Sequence, residues 1–398
     1  MCGNAVPPAL AIEGGEPVRR APFPPWPALG EEDTQAVGQV LRSGRLSALT
    51  SGTVAGFEAA FAEYHGVKHC VAASSGTTAI HLALAAAGIG PGDEVIVPAH
   101  TFIASATPVL HQGATPVFAD VDPDIFTLTC GTIEAVLTPR TKAIIVVHLN
   151  GHPAPVEEIL ALAQDRGLLV IEDAAQAHGA LYNGRKVGTL GRLGCFSFWE
   201  DKIITTGGEG GAVITNDDEL AARLRLIRHH GEGPVEGERR YYHVELGYNY
   251  RLTAMQAATG LVQLRRLDEY LALRRAHAAH LTARLRTIPQ VEPPQVAPWA
   301  VHSYYKYIGR LHTKRVSVDI ERFVAAVAAE GVPIARRYPT PLHRQPVFQN
   351  LGYGNVTCPV AERLAGELFT LQVHPTLRER DLDDVAAAIA KVAEAYGG

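Results

Sequence analysis

In GCFSFWEDKIITTGGEGGAVITND, Gly194 to Asp217, one lysine stands between an aromatic run and a glycine cluster. A buried ammonium must shed its proton or find a partner. A desolvated lysine amine pressed against a cofactor forms Schiff bases, so Lys202 is a candidate nucleophile. The plain alternative is a surface lysine on a loop. Ser197 precedes it by five residues, and TTGGEGG permits a tight backbone around it. A second stretch, LLVIEDAAQAHGA, delivers Glu172 and Asp173 to the end of a hydrophobic run. An acid there can bind a metal, a ribose or a protonated ring nitrogen. His178 invites a metal reading, but no second ligand falls at a supporting spacing, so no metal is expected. In SSGTTAIHLAL, a helix starting at Ser75-Gly76-Thr77 offers free N–H groups to a phosphate, or simply a helix cap. In VPAHTFIAS, His100 or Phe102 follows a strand and either stacks on a flat ligand or belongs to the core.

The surrounding elements have to hold these groups in place. EEDTQAVGQVLRSG reads as a helix stopped at Gly44, and VAGFEAAFAEYHG as a second. HCVAAS, DEVIVPA, TPVFADV, TKAIIVVHLN and LLVIEDA read as short strands, apolar on both faces. GTTAIHLALAAAG, FIASATPVLHQG and PVEEILALAQDRG read as helices between them. This alternation implies right-handed crossovers and an α/β layer architecture. From Leu252 the pattern turns helical, as one long stretch or two joined ones. A C-terminal α+β portion follows, with HSYYKYIGRL as strand, DIERFVAAVAAEG as helix and a last helix after Asp381. The expected division is an extended proline-rich arm over 1–27, a large domain over 28–251, and helices plus a small domain over 252–398.

Composition narrows the class. The chain has 398 residues, 47% hydrophobic and 19% charged, enough for a sizeable core. Its net charge of −5, with signs interspersed, lacks the basic footprint of a nucleic-acid binder. Cys2, Cys70, Cys130, Cys195 and Cys358 are scattered and odd in number, which points to reduced thiols and a cytoplasmic enzyme. The opening has no apolar run fit for a signal peptide, and no segment reaches the length of a membrane span.

Taken in order, SSGTTAIHLAL, DEVIVPAHTFIAS, TPVFADVD, VIEDAAQAHGA, the Lys202 segment and GYNYRLTAMQAATG match one pattern. The chain resembles the DegT/DnrJ/EryC1/StrS family of sugar and aminocyclitol aminotransferases over nearly its whole length. The resemblance implies the aspartate-aminotransferase-like fold (fold type I), with a mostly parallel central sheet and a smaller C-terminal α+β domain. It implies pyridoxal 5'-phosphate as cofactor, with pyridoxamine phosphate as its amino form. Lys202 matches the Schiff-base lysine that also shuttles the proton, and Asp173 the acid on the pyridine nitrogen. Gln176 matches the partner of the phenolic oxygen. Gly76, Thr77 and Ser197 match the phosphate cradle, and Phe102 the stacking aromatic. Asn249 matches a residue that reaches the phosphate of the neighbouring subunit, which implies a homodimer with shared sites.

For substrate, the expected residues are Arg251, Tyr338 and His343. The last two lie in ARRYPTPLHRQPVF, whose Arg336, Arg337 and Arg344 could face a nucleotide diphosphate or simply solvent. The implied reaction moves an amino group from glutamate or glutamine to a keto-sugar, with nucleotide-linked keto-sugars as the leading class. The arm LAIEGGEPVR resembles that of the cyclitol and aminoshikimate-type branch, so a cyclitol ketone is the alternative acceptor. A non-catalytic regulator that only binds the cofactor is a third reading, and the intact Lys202, Asp173 and Ser197 speak against it. The lysine also separates the chain from the family's dehydratases, where histidine replaces it. Many relatives carry SFHP before the lysine; this chain has SFWEDK, with Trp199, Glu200 and Asp201.

Overall fold

The computed structural model describes residues 9–233 and 241–397. Cys2 and the first eight residues of the expected arm therefore lie outside the described residues. Seven strands form the principal sheet, in the order His69–Ala73, Gly211–Thr215, Leu193–Ser197, Leu169–Asp173, Thr141–Val147, Glu94–Pro98, Thr115–Ala119. Gly211–Thr215 runs antiparallel to both neighbours, and the other adjacent pairs are parallel. The sheet is thus mostly parallel, as expected of an α/β chain. Its strands are apolar on both faces because both faces are covered. Val95 and Val97 join one core cluster, whereas Ile96 between them joins another, together with Ile144 and Val146.

The parallel registers align the strand ends that matter. Val147 pairs with Asp173, and Asp173 with Cys195, so these strands finish side by side. The returning Gly211 lies opposite both Ser197 and Ala73. This carboxyl edge is where ligands sit in open α/β sheets.

The remaining chain forms a four-stranded antiparallel sheet, Val291–Glu292, Tyr307–Leu311, Leu368–Leu371 and Ile334–Arg336. Helices Leu267–Leu285, Ile320–Ala329 and Glu379–Ala395 share its core. A three-stranded sheet joins Ala300–Val301, Leu181–Tyr182 and Arg185–Lys186.

Three expectations change. FIASATPVLHQG is not one helix: a 3-10 turn at Ile103–Ser105 precedes a short helix at Thr107–His111. Ala106, at φ −112° and ψ −39°, separates them, and Pro108 opens the second as prolines can. HSYYKYIGRL becomes strand only at Tyr307, because Tyr304 adopts φ 50° and breaks the extended run. The arm, expected as extended, contains a 3-10 turn at Ala11–Glu13 and packs on the small sheet. Leu10 is buried in the small-sheet core, and Arg19 donates to Asp381 at 2.7 Å and Asp384 at 2.8 Å. The helical stretch after Leu252 resolves as two helices, Ala254–Arg265 and Leu267–Leu285, with Arg266 between them.

Candidate active site

Four segments deliver the site. Leu169–Asp173 carries two adjacent carboxylates whose side chains, by strand alternation, leave on opposite faces. Glu172 is buried and accepts hydrogen bonds from the N–H groups of Gly188, Leu190 and Gly191 at 2.6–2.7 Å. It also meets His148 Nε2 at 2.9 Å. Burial alone would push its pKa up, but His148 and the backbone donors hold it below the ordinary value. That carboxylate is consumed by structure. Asp173 accepts from Ser105 Oγ at 2.8 Å and from Ala175 N–H at 3.1 Å. Burial raises its pKa against those two donors and the Lys202 charge. Such a group gains from an added cation, and a protonated ring nitrogen is one.

Lys202 lies in the loop between Leu193–Ser197 and Gly211–Thr215. Its main chain is tied at both ends: its N–H donates to Trp199 O at 2.9 Å, and its carbonyl accepts from Trp26 Nε1 at 3.1 Å. The residue keeps some exposed surface, while its ammonium lies 4.6 Å from the Tyr305 ring centre. Burial, partly opposed by Asp173 and assisted by Arg337, brings its pKa down to about 8. A tenth or so of such amines is free at pH 7, against well under a thousandth for an ordinary lysine.

At the helix Gly76–Ala86, the Ser75 hydroxyl accepts the Thr78 N–H, and the Thr78 hydroxyl accepts from Ser75 N–H. The N–H groups of Gly76 and Thr77 belong to the first turn, which has no intrahelical acceptor. A Cβ on Gly76 would lie 2.6 Å from Ser197 Cβ and 3.0 Å from its Oγ. Glycine therefore lets the Ser197 hydroxyl and the helix N-terminus converge, and an anion fits where they do. Gly208, at φ 123°, turns the loop that follows Lys202.

Gln176 accepts from Asn150 N–H and Arg337 Nη2, each at 2.9 Å, and donates to Tyr338 Oη at 2.9 Å. Arg337 also donates to Asn150 Oδ1 at 2.8 Å and packs 4.1 Å from the Tyr338 ring centre. His100 is buried, has no hydrogen-bond partner at either ring nitrogen among the described residues, and meets Tyr338 edge-on. Burial and the Arg337 charge lower its pKa to about 3, so it is neutral. Phe102, in contrast, is 54% exposed, with its ring free to lie on a ligand.

The fold thus brings Lys202, Asp173, Gln176 and Tyr338 to one edge, with Gly76 and Ser197 converging nearby. Other expected residues lie elsewhere. Asn249 is exposed, paired by backbone with His229, and no hydrogen bond joins its side chain to this cluster among the described residues. Arg251 lies 2.8 Å from His229 Nδ1. His343 is buried with Nε2 2.8 Å from Glu362, which does not put it at the site edge. Arg336 and Arg344 are likewise engaged, on Glu321 and Glu362. The sequence reading missed Ser105, Asn150, Tyr305 and Lys306. One signal was available: Lys306 is a charge inside a run read as strand. His178 is buried beside Phe196 and Phe198, and no cluster of three or more metal-ligating groups occurs among the described residues.

An amine of lowered pKa beside a buried acid, with an anion-sized cradle nearby, fits pyridoxal phosphate. The buried Asp173 suits a cationic ring nitrogen, and the Gly76–Ser197 approach leaves a cradle that a Cβ would fill. The chain belongs to the DegT/DnrJ/EryC1/StrS aminotransferase family, whose model matches residues 27–390, and it is a pyridoxal-phosphate-dependent aminotransferase. It is 46% identical to GDP-perosamine synthase of Caulobacter vibrioides over 84% of this chain and 89% of that protein. It is 39% identical to L-glutamine:2-deoxy-scyllo-inosose aminotransferase of Streptomyces kanamyceticus over 96% of each. The crystal structure of an aminotransferase from Psychrobacter cryohalolentis superposes with a TM-score of 0.89 at 36% identity, over 94% of this chain and all of that one. Among the described residues, no helix is long and apolar enough to cross a membrane.

Proposed function

We propose that this aminotransferase moves an amino group from glutamate or glutamine to a nucleotide-linked keto-sugar, acting as a homodimer in the cytoplasm. The observation that carries the reading is the Lys202 amine, with its pKa near 8, facing the buried Asp173. The similarity to a GDP-perosamine synthase supports a sugar acceptor. A cyclitol ketone is the second reading, supported by the inosose aminotransferase, which aligns over 96% of this chain.

When bound, pyridoxal phosphate supplies an electron sink for the carbon that gains or loses nitrogen. Lys202 would hold the cofactor and then act as both general base and general acid within each half-reaction, taking the proton from one carbon and delivering it to the other. Asp173 keeps a proton on the ring nitrogen. Gln176 donates to the phenolic oxygen, and Arg337 and Asn150 fix its amide. Gly76, Thr77 and Ser197 would bind the phosphate, and the exposed Phe102 would lie against the ring. Asn249, solvent-facing and apart from its own chain's cluster, is assigned to the partner's phosphate. Tyr338 borders the acceptor. The boundary after Arg251 separates the cofactor-binding portion from the helices and smaller sheet.

The test is the visible spectrum of the cofactor-loaded protein during titration with glutamate and then glutamine. Bleaching of the yellow band identifies the donor, and ketones are then ranked by how well they restore it. A yellow protein bleached by neither donor defeats the donor assignment. Recovery of colour with a free cyclitol ketone, and not with nucleotide-linked keto-sugars, replaces the first acceptor by the second.

A further inference from the structure

Asp201 immediately precedes Lys202, and its carboxylate is the nearest anion along the chain to the reactive amine. It does not pair with that amine. Asp201 Oδ2 lies 2.6 Å from Lys306 Nζ, and Tyr305 Oη lies 3.5 Å from the same oxygen. Lys306 is 5% exposed, and its ammonium is held a second time by Gln372 Oε1 at 3.0 Å. Its backbone N–H meets Asn150 O at 3.4 Å, which ties it to the loop that orients Gln176. Both lysines lie against one ring: Lys202 Nζ is 4.6 Å and Lys306 Nζ 5.1 Å from the Tyr305 centre.

We infer that Lys306 is a positioning residue that sequesters the Asp201 carboxylate, so that the neighbouring Lys202 amine stays unpaired and free to lose its proton. Without Lys306, the cations left near this carboxylate among the described residues are Lys202, one residue away and against the same tyrosine, the buried Arg274, and Arg337, which is already held by Asn150 and Gln176. Pairing with Asp201 would hold Lys202 protonated and turn it from Asp173's side of the site. The left-handed Tyr304 is what makes the arrangement, since it ends the extended run and presents Tyr305 and Lys306 together.

The other charged and titratable groups around the pair are few. Asp173, Arg337 and His178 face Lys202; Arg274, Arg337 and His374 face Asp201 and Lys306. Burial lowers the Lys306 pKa while Asp201 supports its charge, and burial keeps His374 neutral. Tyr305 is raised by burial and stays protonated. None of these can replace Lys306 at 2.6 Å from Asp201.

This inference rests on Lys202 being the reactive amine of the proposed function, and its test needs no cofactor. The cofactor-free full chain is labelled with trace acetic anhydride across pH 6–11, and acetylation of Lys202 is quantified by mass spectrometry. The wild type is expected to titrate near pH 8. Lys306→Gln raises that midpoint by on the order of one pH unit, because the freed carboxylate stabilises the ammonium. Lys306→Gln combined with Asp201→Asn returns it to the wild-type value. Asp201→Asn alone lowers it, since Lys306 is left uncompensated beside Lys202. Lys306→Arg keeps the wild-type midpoint. A purely structural Lys306 would change melting temperature in these variants without moving the midpoint.

An unmoved midpoint in Lys306→Gln, or a double variant that keeps the raised value, overturns the inference. If Lys306→Gln does not fold, an unmoved midpoint in Asp201→Asn overturns it instead. A wild type that never turns yellow with pyridoxal phosphate defeats the functional reading separately, whatever the labelling shows.

Discussion

Two charge clusters in this chain are built on opposite rules. At the N-terminal arm, Arg19 meets Asp381 and Asp384, and Lys391 meets Glu330 at 2.8 Å. Glu330 also accepts the N–H groups of Ala11 and Val18. Each buried charge there has a counter-charge, and the result is a clamp that fastens the arm to the small sheet. Around Tyr305, three cations (Lys202, Lys306 and Arg337) gather with one carboxylate that only Lys306 engages directly. Arg337 is held by the neutral amides of Asn150 and Gln176. A cluster made for stability neutralises itself, because an unpaired buried charge is costly. A cluster made for chemistry leaves that cost standing and depends on an incoming ligand to offset it.

The comparison can be broken in several places. The largest effect is expected from Lys202→Ala, which should reduce turnover by more than about 10³-fold with an unchanged melting temperature. Appreciable turnover in that variant would remove the nucleophile from the scheme. The adjacent carboxylates should then separate the two rules on one strand. Asp173→Asn is expected to lower turnover about 10²-fold or more and leave stability nearly intact. Glu172→Gln should cost about 3 kcal/mol in denaturant unfolding, with turnover per folded molecule kept within about threefold. Equal behaviour of the two variants would contradict the division of labour.

At the clamp, Arg19→Ala should lower unfolding free energy by about 2 kcal/mol, since it leaves the buried Asp381 with the half-exposed Arg378 as its remaining counter-charge. The smallest effect is a pH dependence. Burial opposes ionisation of Asp381, but the Arg378 N–H, the Arg378 side chain and Arg19 outweigh it and bring the pKa to about 2. A depressed folded-state pKa stabilises above the unfolded value near 4 and ceases to as pH falls toward 2. Acid titration of stability should show that loss in the wild type and a shallower one in Arg19→Ala; parallel curves would place the charge coupling elsewhere.

Local signals carried most of the fold. Gly44 stops its helix at φ 67°, Ser75 caps the helix at Gly76, and the double-sided apolar strands lie in a sheet covered on both faces. Asp173 and Lys202 stood out locally as a strand-end acid and a lysine before a glycine cluster, whereas Gln176 and the roles expected of all of these residues came from the family resemblance. Lys306 and Asn150 were not legible. They reach the site from a segment over a hundred residues away from Lys202 and through a loop outside any periodic pattern, and the one local hint, a lysine inside a strand-like run, does not say what it meets.

The sequence by itself determined which groups were available: one lysine in a turn, two consecutive acids, a capped helix start. Alternation along a strand also required that Glu172 and Asp173 part to opposite faces. Which face would be the site, and which acid would be consumed by backbone donors, was decided by how strands far apart in the chain came to lie side by side. The pairing of Asp201 with Lys306 rather than with Lys202 was decided the same way. Charge interactions depend on distance and burial, and both are set by packing rather than by order along the chain.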